Sequence, residues 1–327
     1  MWRRKVCKMH KNKEVIKGLL AICVATATVV IAVVCFCFKG NSYAYPVDIK
    51  DVTFEDDDIR KSCFSVGSDY IYMCAFSKDE SDYYIAKAPI NSNALEKLHY
   101  EIPENMKVLR ISADSSGECS LLLSTFHEED FEGEKATFID FNTTRIDRID
   151  TDGQLKYSLD ISDEFKKAEE IPLIFEADEG DNFYVNVGSV LMHFSIKDKI
   201  EKFIIDGYYE TVMCENGKAY TVYYDYSAEK TFLSLIEDGE ISKVAELETF
   251  NEDYRSISKS GDDLYLYSRE GLFKYSNDTQ ECLYKDDNIT DTRRFMDGED
   301  LSSEGELCIL LNVDEKYSVR HVRYKDL

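Results

Sequence analysis

Arg255–Lys285 reads RSISKS, GD, DLYLYS, RE, GLFKYS, NDTQ, ECLYK. The four longer runs alternate apolar and polar residues, and Gly, Asn, Asp or a charged pair stands between them. Period-two alternation over five or six residues marks a strand, because successive side chains leave opposite faces of a pleated chain. Turn residues at each end join neighbouring strands into hairpins. The stretch therefore predicts four antiparallel strands in about 30 residues.

The same unit recurs outward from there. Residues 172–205 read PLIFEADEG, DNFYVNVG, SVLMHFSI, KDKIEKFII, and residues 209–247 turn at Asn216-Gly217, near Glu229 and at Asp238-Gly239. Looser copies fit 60–101, 107–161 and 293–324. The second of these has a long third strand, ATFIDFNTTRIDRID, and a tight turn at Thr151-Asp152-Gly153. Second strands begin near Tyr70, Cys119, Phe183, Ala219, Leu264 and Leu307, spaced by 49, 64, 36, 45 and 43 residues. Propeller blades recur at about 40–50 residues. The predicted fold class is all-β: a β-propeller of about six four-stranded blades over residues 47–327. The last unit lacks a fourth strand, and Val47–Phe54 (VDIKDVTF) precedes the first unit with no partner. It is predicted to be the outer strand of the last blade, which removes the sheet edges that an open ring would expose. Helical pattern is confined to connectors. Asn93–Glu96 has the form of a capping box, and Ser162–Glu170 is predicted as a short helix stopped before Pro172.

On this rhythm, residues 47–327 resemble the six-bladed β-propeller ectodomains of bacterial surface proteins. They are also similar to the propeller part of some extracellular solute-binding proteins, without the two-lobed binding domain. The WD dipeptide, the kelch double glycine and the sialidase Asp box are all missing.

Composition agrees with a folded body. The 327 residues are 44% hydrophobic, with 22 Tyr and 18 Phe against 4 Pro, unlike a disordered chain. Net charge is −25, but residues 1–40 carry +7 and the remainder −32. A body this acidic repels phosphate backbones, so nucleic acid is excluded as a partner. Gly18–Phe38 is a run of 21 residues without a charge. As a helix it reaches roughly 31 Å, matching a hydrocarbon core of about 30 Å. Seven Lys or Arg precede it and the acidic body follows. The expected organisation is a basic cytosolic segment (1–17), a membrane helix (18–38), a linker (39–46) and an extracellular domain (47–327). The competing reading is a secretory signal cleaved near Ser42-Tyr43-Ala44. Its apolar core would be longer than the roughly 7–15 residues usual in signals, which favours a retained anchor.

Chemistry is sparse. The six cysteines after the linker form no CxxC, and no His lies at zinc-ligand spacing, so neither metal nor cofactor is expected. Cys63 and Cys74 flank a predicted hairpin that can bring them face to face, either as a disulfide or as small buried apolar groups; the second reading is taken. Asp147, Asp150, Asp152 and Gly153 cluster as calcium ligands do, but a tight turn explains them better. No GxSxG, GxGxxG or Walker A motif is present, and no catalytic residue is assigned. Tyrosine pairs stand out, and Tyr223, Tyr224 and Tyr226 are picked as an exposed ligand-binding patch. Neighbouring residues there point to opposite faces, and tyrosine combines an apolar ring with a polar tip. The expected function is a binding, sensing or scaffold module with a protein or carbohydrate ligand on the propeller face. The alternatives are a surface hydrolase acting on glycans and the propeller remnant of a solute-binding receptor.

Overall fold

Each copy of the four-run unit folds as a four-stranded antiparallel sheet, so that the described residues form 24 strands in six sheets. The computed structural model describes residues 48–324 except 54–58, 68, 78–82, 115, 132–133, 167, 169–170, 173, 179–181, 196–199, 216, 248–253, 269–270, 285–294, 303–304 and 314–315. The anticipated cytosolic segment, membrane helix and linker lie outside these residues. Among the described residues no helix is long and apolar enough to cross a membrane.

The chain begins with β1 (Asp48–Thr53). Blade 1 is β2 (Ile59–Val66), β3 (Tyr70–Ser77), β4 (Tyr83–Pro89) and β5 (Glu96–Lys97). Blade 2 is β6 (Met106–Ala113), β7 (Cys119–Phe131), β8 (Glu134–Ile149) and β9 (Leu155–Asp160). Blade 3 is β10 (Phe175–Asp178), β11 (Asn182–Val187), β12 (Val190–Ser195) and β13 (Ile200–Ile204). Blade 4 is β14 (Gly207–Glu215), β15 (Lys218–Asp225), β16 (Lys230–Glu237) and β17 (Glu240–Leu247). Blade 5 is β18 (Tyr254–Ser260), β19 (Asp263–Ser268), β20 (Gly271–Ser276) and β21 (Thr279–Tyr284). Blade 6 is β22 (Phe295–Ser302), β23 (Glu306–Val313) and β24 (Lys316–Arg323), completed by β1.

The first strand of every blade touches the first strands of both neighbouring blades, and β22 meets β2, so the ring closes. Both faces of a blade are therefore covered, and the alternating residues enter two different cores. In β19, Leu264 and Leu266 pack with Val222 and Leu233 of blade 4, whereas Tyr265 and Tyr267 pack with Leu307, Ile309 and Val322 of blade 6. Five of the first strands carry a bulge, with Ser62, Leu109, Glu210, Arg255 and Asp297 as the extra residues. A bulge increases local twist, which helps the innermost strand turn along the ring axis.

The closing strand sits where it was predicted. β1 pairs antiparallel with β24, from Asp48 opposite Arg323 to Thr53 opposite Ser318. Arg320 grips Asp51 with two parallel bonds, Nε to Oδ1 at 2.8 Å and Nη2 to Oδ2 at 2.9 Å.

The connectors differ from expectation in detail. Asn93–Glu96 forms no helical turn; Glu96 and Lys97 pair with β4 to give blade 1 its fourth strand, and the Ser92 hydroxyl accepts the Ala94 amide at 3.1 Å. One isolated helical turn fixes several dihedrals for a single hydrogen bond, and the sheet edge outcompetes it. Helix α1 covers only Ser162–Phe165, with Phe165 buried in the core between blades 2 and 3. Asp150, Asp152 and Gly153 form the expected tight turn. The Asp150 carboxylate accepts the amides of Asp152 at 3.0 Å and Gln154 at 2.8 Å, and Gly153 has φ +85°. Cys63 and Cys74 stand opposite each other in the ladder, both buried, as thiols.

Candidate functional site

The tyrosine-rich end of blade 4 makes an aromatic platform, but with a different membership from the predicted patch. Tyr223 points inward and is buried with Tyr209 and Phe232. Tyr224, one residue later, takes the opposite face, and Tyr208 lies directly across the ladder from it. Their rings stack with centroids 5.5 Å apart and planes at 25°. Tyr226 lies just past the strand end and is 57% exposed, with its ring 6.0 Å from Tyr208 and 5.9 Å from Tyr224. Three aromatic rings thus converge at the rim, two half-buried and one open to solvent.

Backbone close approach builds this platform. Gly207 opens β14 so tightly against β15 that a Cβ there would lie 1.8 Å from the Tyr224 carbonyl oxygen. The Tyr226 amide donates to the Asp206 carbonyl at 2.7 Å, and the Ser227 hydroxyl donates to the Asp206 carboxylate. In the turn itself, Asp225 accepts the Ala228 amide at 2.9 Å, a bond that holds its carboxyl below the ordinary range. These contacts tie the turn between the second and third strands of blade 4 to the connection arriving from blade 3. The platform lies on the face of the ring that carries the blade-to-blade connections. On that same side β7 and β8 continue past a register break as a two-stranded ribbon, pairing from Thr125 opposite Asp140 to Phe131 opposite Glu134. His127, Glu128, Glu129 and Asp130 on that ribbon are exposed.

A second polar cluster joins blades 1 and 2 on the opposite side. Asp147 is fully buried and accepts bonds from the Tyr100 hydroxyl at 2.5 Å, Arg145 at 2.8 Å and the Ser158 hydroxyl at 2.5 Å. Arg148, 2% exposed, donates to Asp114, to Glu118 at 3.1 Å and to the Ser120 hydroxyl at 2.8 Å. Burial opposes its charge, but Asp114 and Glu118 outweigh that and hold the guanidinium above its usual range. Every carboxylate here has a cation or hydroxyl, which suits a structural clamp. Burial and the bond to Asp147 push the Tyr100 phenol above its ordinary range.

A third cluster was missed from sequence. Glu306 and Cys308 lie two residues apart on β23, and His321 pairs with Cys308 across the ladder to β24. All three are buried, and His321 Nδ1 is 3.1 Å from Glu306 Oε1 and 3.6 Å from Cys308 Sγ. The opposite ring nitrogen, Nε2, is buried without a hydrogen-bond partner. Burial raises the Glu306 pKa, yet His321 and Arg323 overcome it and hold the carboxyl below its ordinary range. The signal was an E-x-C pair, which shares one strand face, followed by a histidine the hairpin register returns to it. Another strand histidine, His193 on β12, stacks on Tyr184 with ring centroids 4.4 Å apart.

No protein-family model matches the chain, and no curated protein matches it. Solved structures do match in shape. Virginiamycin B lyase from Staphylococcus aureus superposes with a TM-score of 0.52 at 13% identity, covering 85% of this chain and 100% of that one. A streptogramin B lyase gives 0.50 at 11% identity, covering 85% and 98%. YCF48 bound to D1 peptide gives 0.50 at 7% identity, covering 86% and 97%. At such identities the likeness shows the fold alone: this chain carries a six-bladed β-propeller.

Proposed function

We propose that this chain is a single-pass, membrane-anchored binding module whose propeller stands outside the cell and captures a cationic segment of a partner protein on the blade-4 platform. The observation that carries the reading is the convergence of Tyr208, Tyr224 and Tyr226 within 5.5–6.0 Å at an exposed rim. Tyrosine rings attract Lys and Arg through their faces and offer apolar area with little ordering cost. Asp206 and Asp225 flank the rings, and the body's charge of −32 steers cations toward them. One propeller of this shape is described as bound to a peptide, which supports the reading by analogy only. The uncharged run Gly18–Phe38 supports the anchor.

The test is to pan a random peptide library on immobilised residues 39–327. Enriched sequences should be Lys- or Arg-rich and should bind more weakly as salt rises. Tyr208→Ala with Tyr226→Ala should weaken them about 30-fold or more, as at a hot spot of roughly 2 kcal/mol, while Tyr275→Ala should not. Peptides that bind the double variant as well as the wild type would end this reading. So would a glycan array that responds while every peptide stays silent.

A further inference from the structure

The chemistry at Glu306, Cys308 and His321 is not explained by packing. Cys308 faces blade 1, in the same core as Val66, Ile71 and Met73, so the cluster sits at the seam where the last blade meets the first. There a thiol, an imidazole and a carboxylate bring ligand atoms within 4.8 Å of one another while buried. Cys308 Sγ and Glu306 Oε1 both converge on Nδ1, and one ring nitrogen carries at most one proton for two such neighbours. A catalytic triad would need them on opposite nitrogens, and the cysteine is fully buried.

We propose that these three side chains bind zinc, which ties β23 to β24 beside the closing seam of the ring. Zinc bonds of about 2.3 Å to sulfur and 2.0–2.2 Å to nitrogen and oxygen, at tetrahedral angles, separate sulfur from nitrogen by about 3.6 Å and nitrogen from oxygen by about 3.4 Å. The observed separations are 3.6 Å and 3.1 Å, and all three ligand atoms lie within 4.8 Å of one another, so the ion enters as the sulfur and the carboxylate close toward the roughly 3.6 Å that a shared zinc requires. One soft thiolate with imidazole and carboxylate suits zinc better than magnesium or calcium, which prefer all-oxygen shells. On binding, the Cys308 proton and any Nδ1 proton leave to solvent, and the ion satisfies all three groups at once. Arg323, half exposed, touches the same Glu306 oxygen at 3.4 Å and swings aside or stays as an outer partner. Because β23 and β24 each supply ligands and β24 holds β1, the ion stiffens the hairpin on which the closing strand rests.

The test uses the full chain, purified without chelator, with zinc measured by mass spectrometry and cobalt(II) as the spectroscopic probe. Equimolar zinc is expected, together with a near-ultraviolet sulfur-to-cobalt charge-transfer band and visible bands of tetrahedral intensity. Cys308→Ser should abolish the charge-transfer band, whereas Cys282→Ser should keep it. His321→Gln should weaken zinc beyond the roughly 10–100-fold that outer-shell changes cost. Zinc should raise the unfolding temperature of the wild type and leave His321→Gln unmoved. If Cys308→Ser fails to fold, the wild-type cobalt spectrum and the His321→Gln titration decide. Absence of the band in the wild type, its persistence in Cys308→Ser, or a thermal shift equal in both proteins would overturn the proposal.

Discussion

Replacing Gly207 by alanine probes how the platform is built. The new methyl carbon would meet the Tyr224 carbonyl oxygen at 1.8 Å and its carbonyl carbon at 2.9 Å. Both are backbone atoms, so no rotamer change relieves the clash; the start of β14 must move off β15 by more than about 1 Å. That move breaks the Gly207–Asp225 end of the ladder. Overpacking costs about 1–3 kcal/mol, and a lost ladder bond adds about 0.5–1.5 kcal/mol. The expected loss is about 2–4 kcal/mol, or roughly 4–16 °C in unfolding temperature for a domain of this size. Gly217→Ala is the control. Its φ is +75° and nothing lies within 4 Å of an added Cβ, so only the left-handed backbone counts, about 1–2 kcal/mol. Thermal unfolding by circular dichroism reads stability, and binding of the selected peptides reads the platform. Gly207→Ala should lose both, and Gly217→Ala should keep binding. If Gly207→Ala unfolds within about 0.5 kcal/mol of the wild type, the close-approach argument is wrong.

A chain beginning at residue 55 should lose the β1 ladder of six residue pairs, worth about 3–9 kcal/mol at 0.5–1.5 kcal/mol per bond. Added peptide VDIKDVTF should restore part of its unfolding temperature by strand addition, and a scrambled peptide should not. Asp114→Ala should cost about 3 kcal/mol in denaturant melts, because it leaves the buried Arg148 with Glu118 as its only carboxylate among the described residues; an effect under 1 kcal/mol would count against the clamp. Burial raises the phenol pKa of Tyr72, Tyr100 and Tyr209, helped at Tyr100 by Asp147. A raised pKa gives stability that is complete below the unfolded value near 10 and is lost above it. Alkaline titration should therefore show these phenolates ionising only together with unfolding, seen as near-ultraviolet absorbance rising with loss of dichroism; smooth titration of every tyrosine around pH 10 in a folded ring would contradict it.

Much of the fold was legible because a propeller repeats one local pattern. DLYLYS alternates leucine and tyrosine, and each set enters a different core. The unpaired VDIKDVTF and the incomplete last unit were two halves of one sheet, which an accounting of strand edges alone reveals. The site was harder. Alternation says that Tyr223 and Tyr224 oppose each other, but both faces of a blade are covered, so parity does not decide which ring meets solvent. Position along the strand decides it: Tyr224 is next to last in β15, and Tyr226 lies beyond its end. The Glu306, Cys308 and His321 cluster is invisible to close sequence spacing, because only the β23–β24 register returns His321 to Cys308. In sequence Asp147 stands beside an acidic turn, but its partners Tyr100 and Ser158 come from other elements.

The way β1 is stitched in has a mechanical side. Antiparallel hydrogen bonds lie across the strands, and Asp48 enters the ring at the face away from the tyrosine rim. A tug on the preceding chain, resisted by something held at that rim, runs along β1 rather than peeling it from one end. The load is then shared as sliding force by all six pairs from Asp48 to Thr53 and by the Arg320–Asp51 fork. Such a joint yields late and all at once, which makes the ring tolerant of traction in that direction and weak against a sideways pull at Thr53.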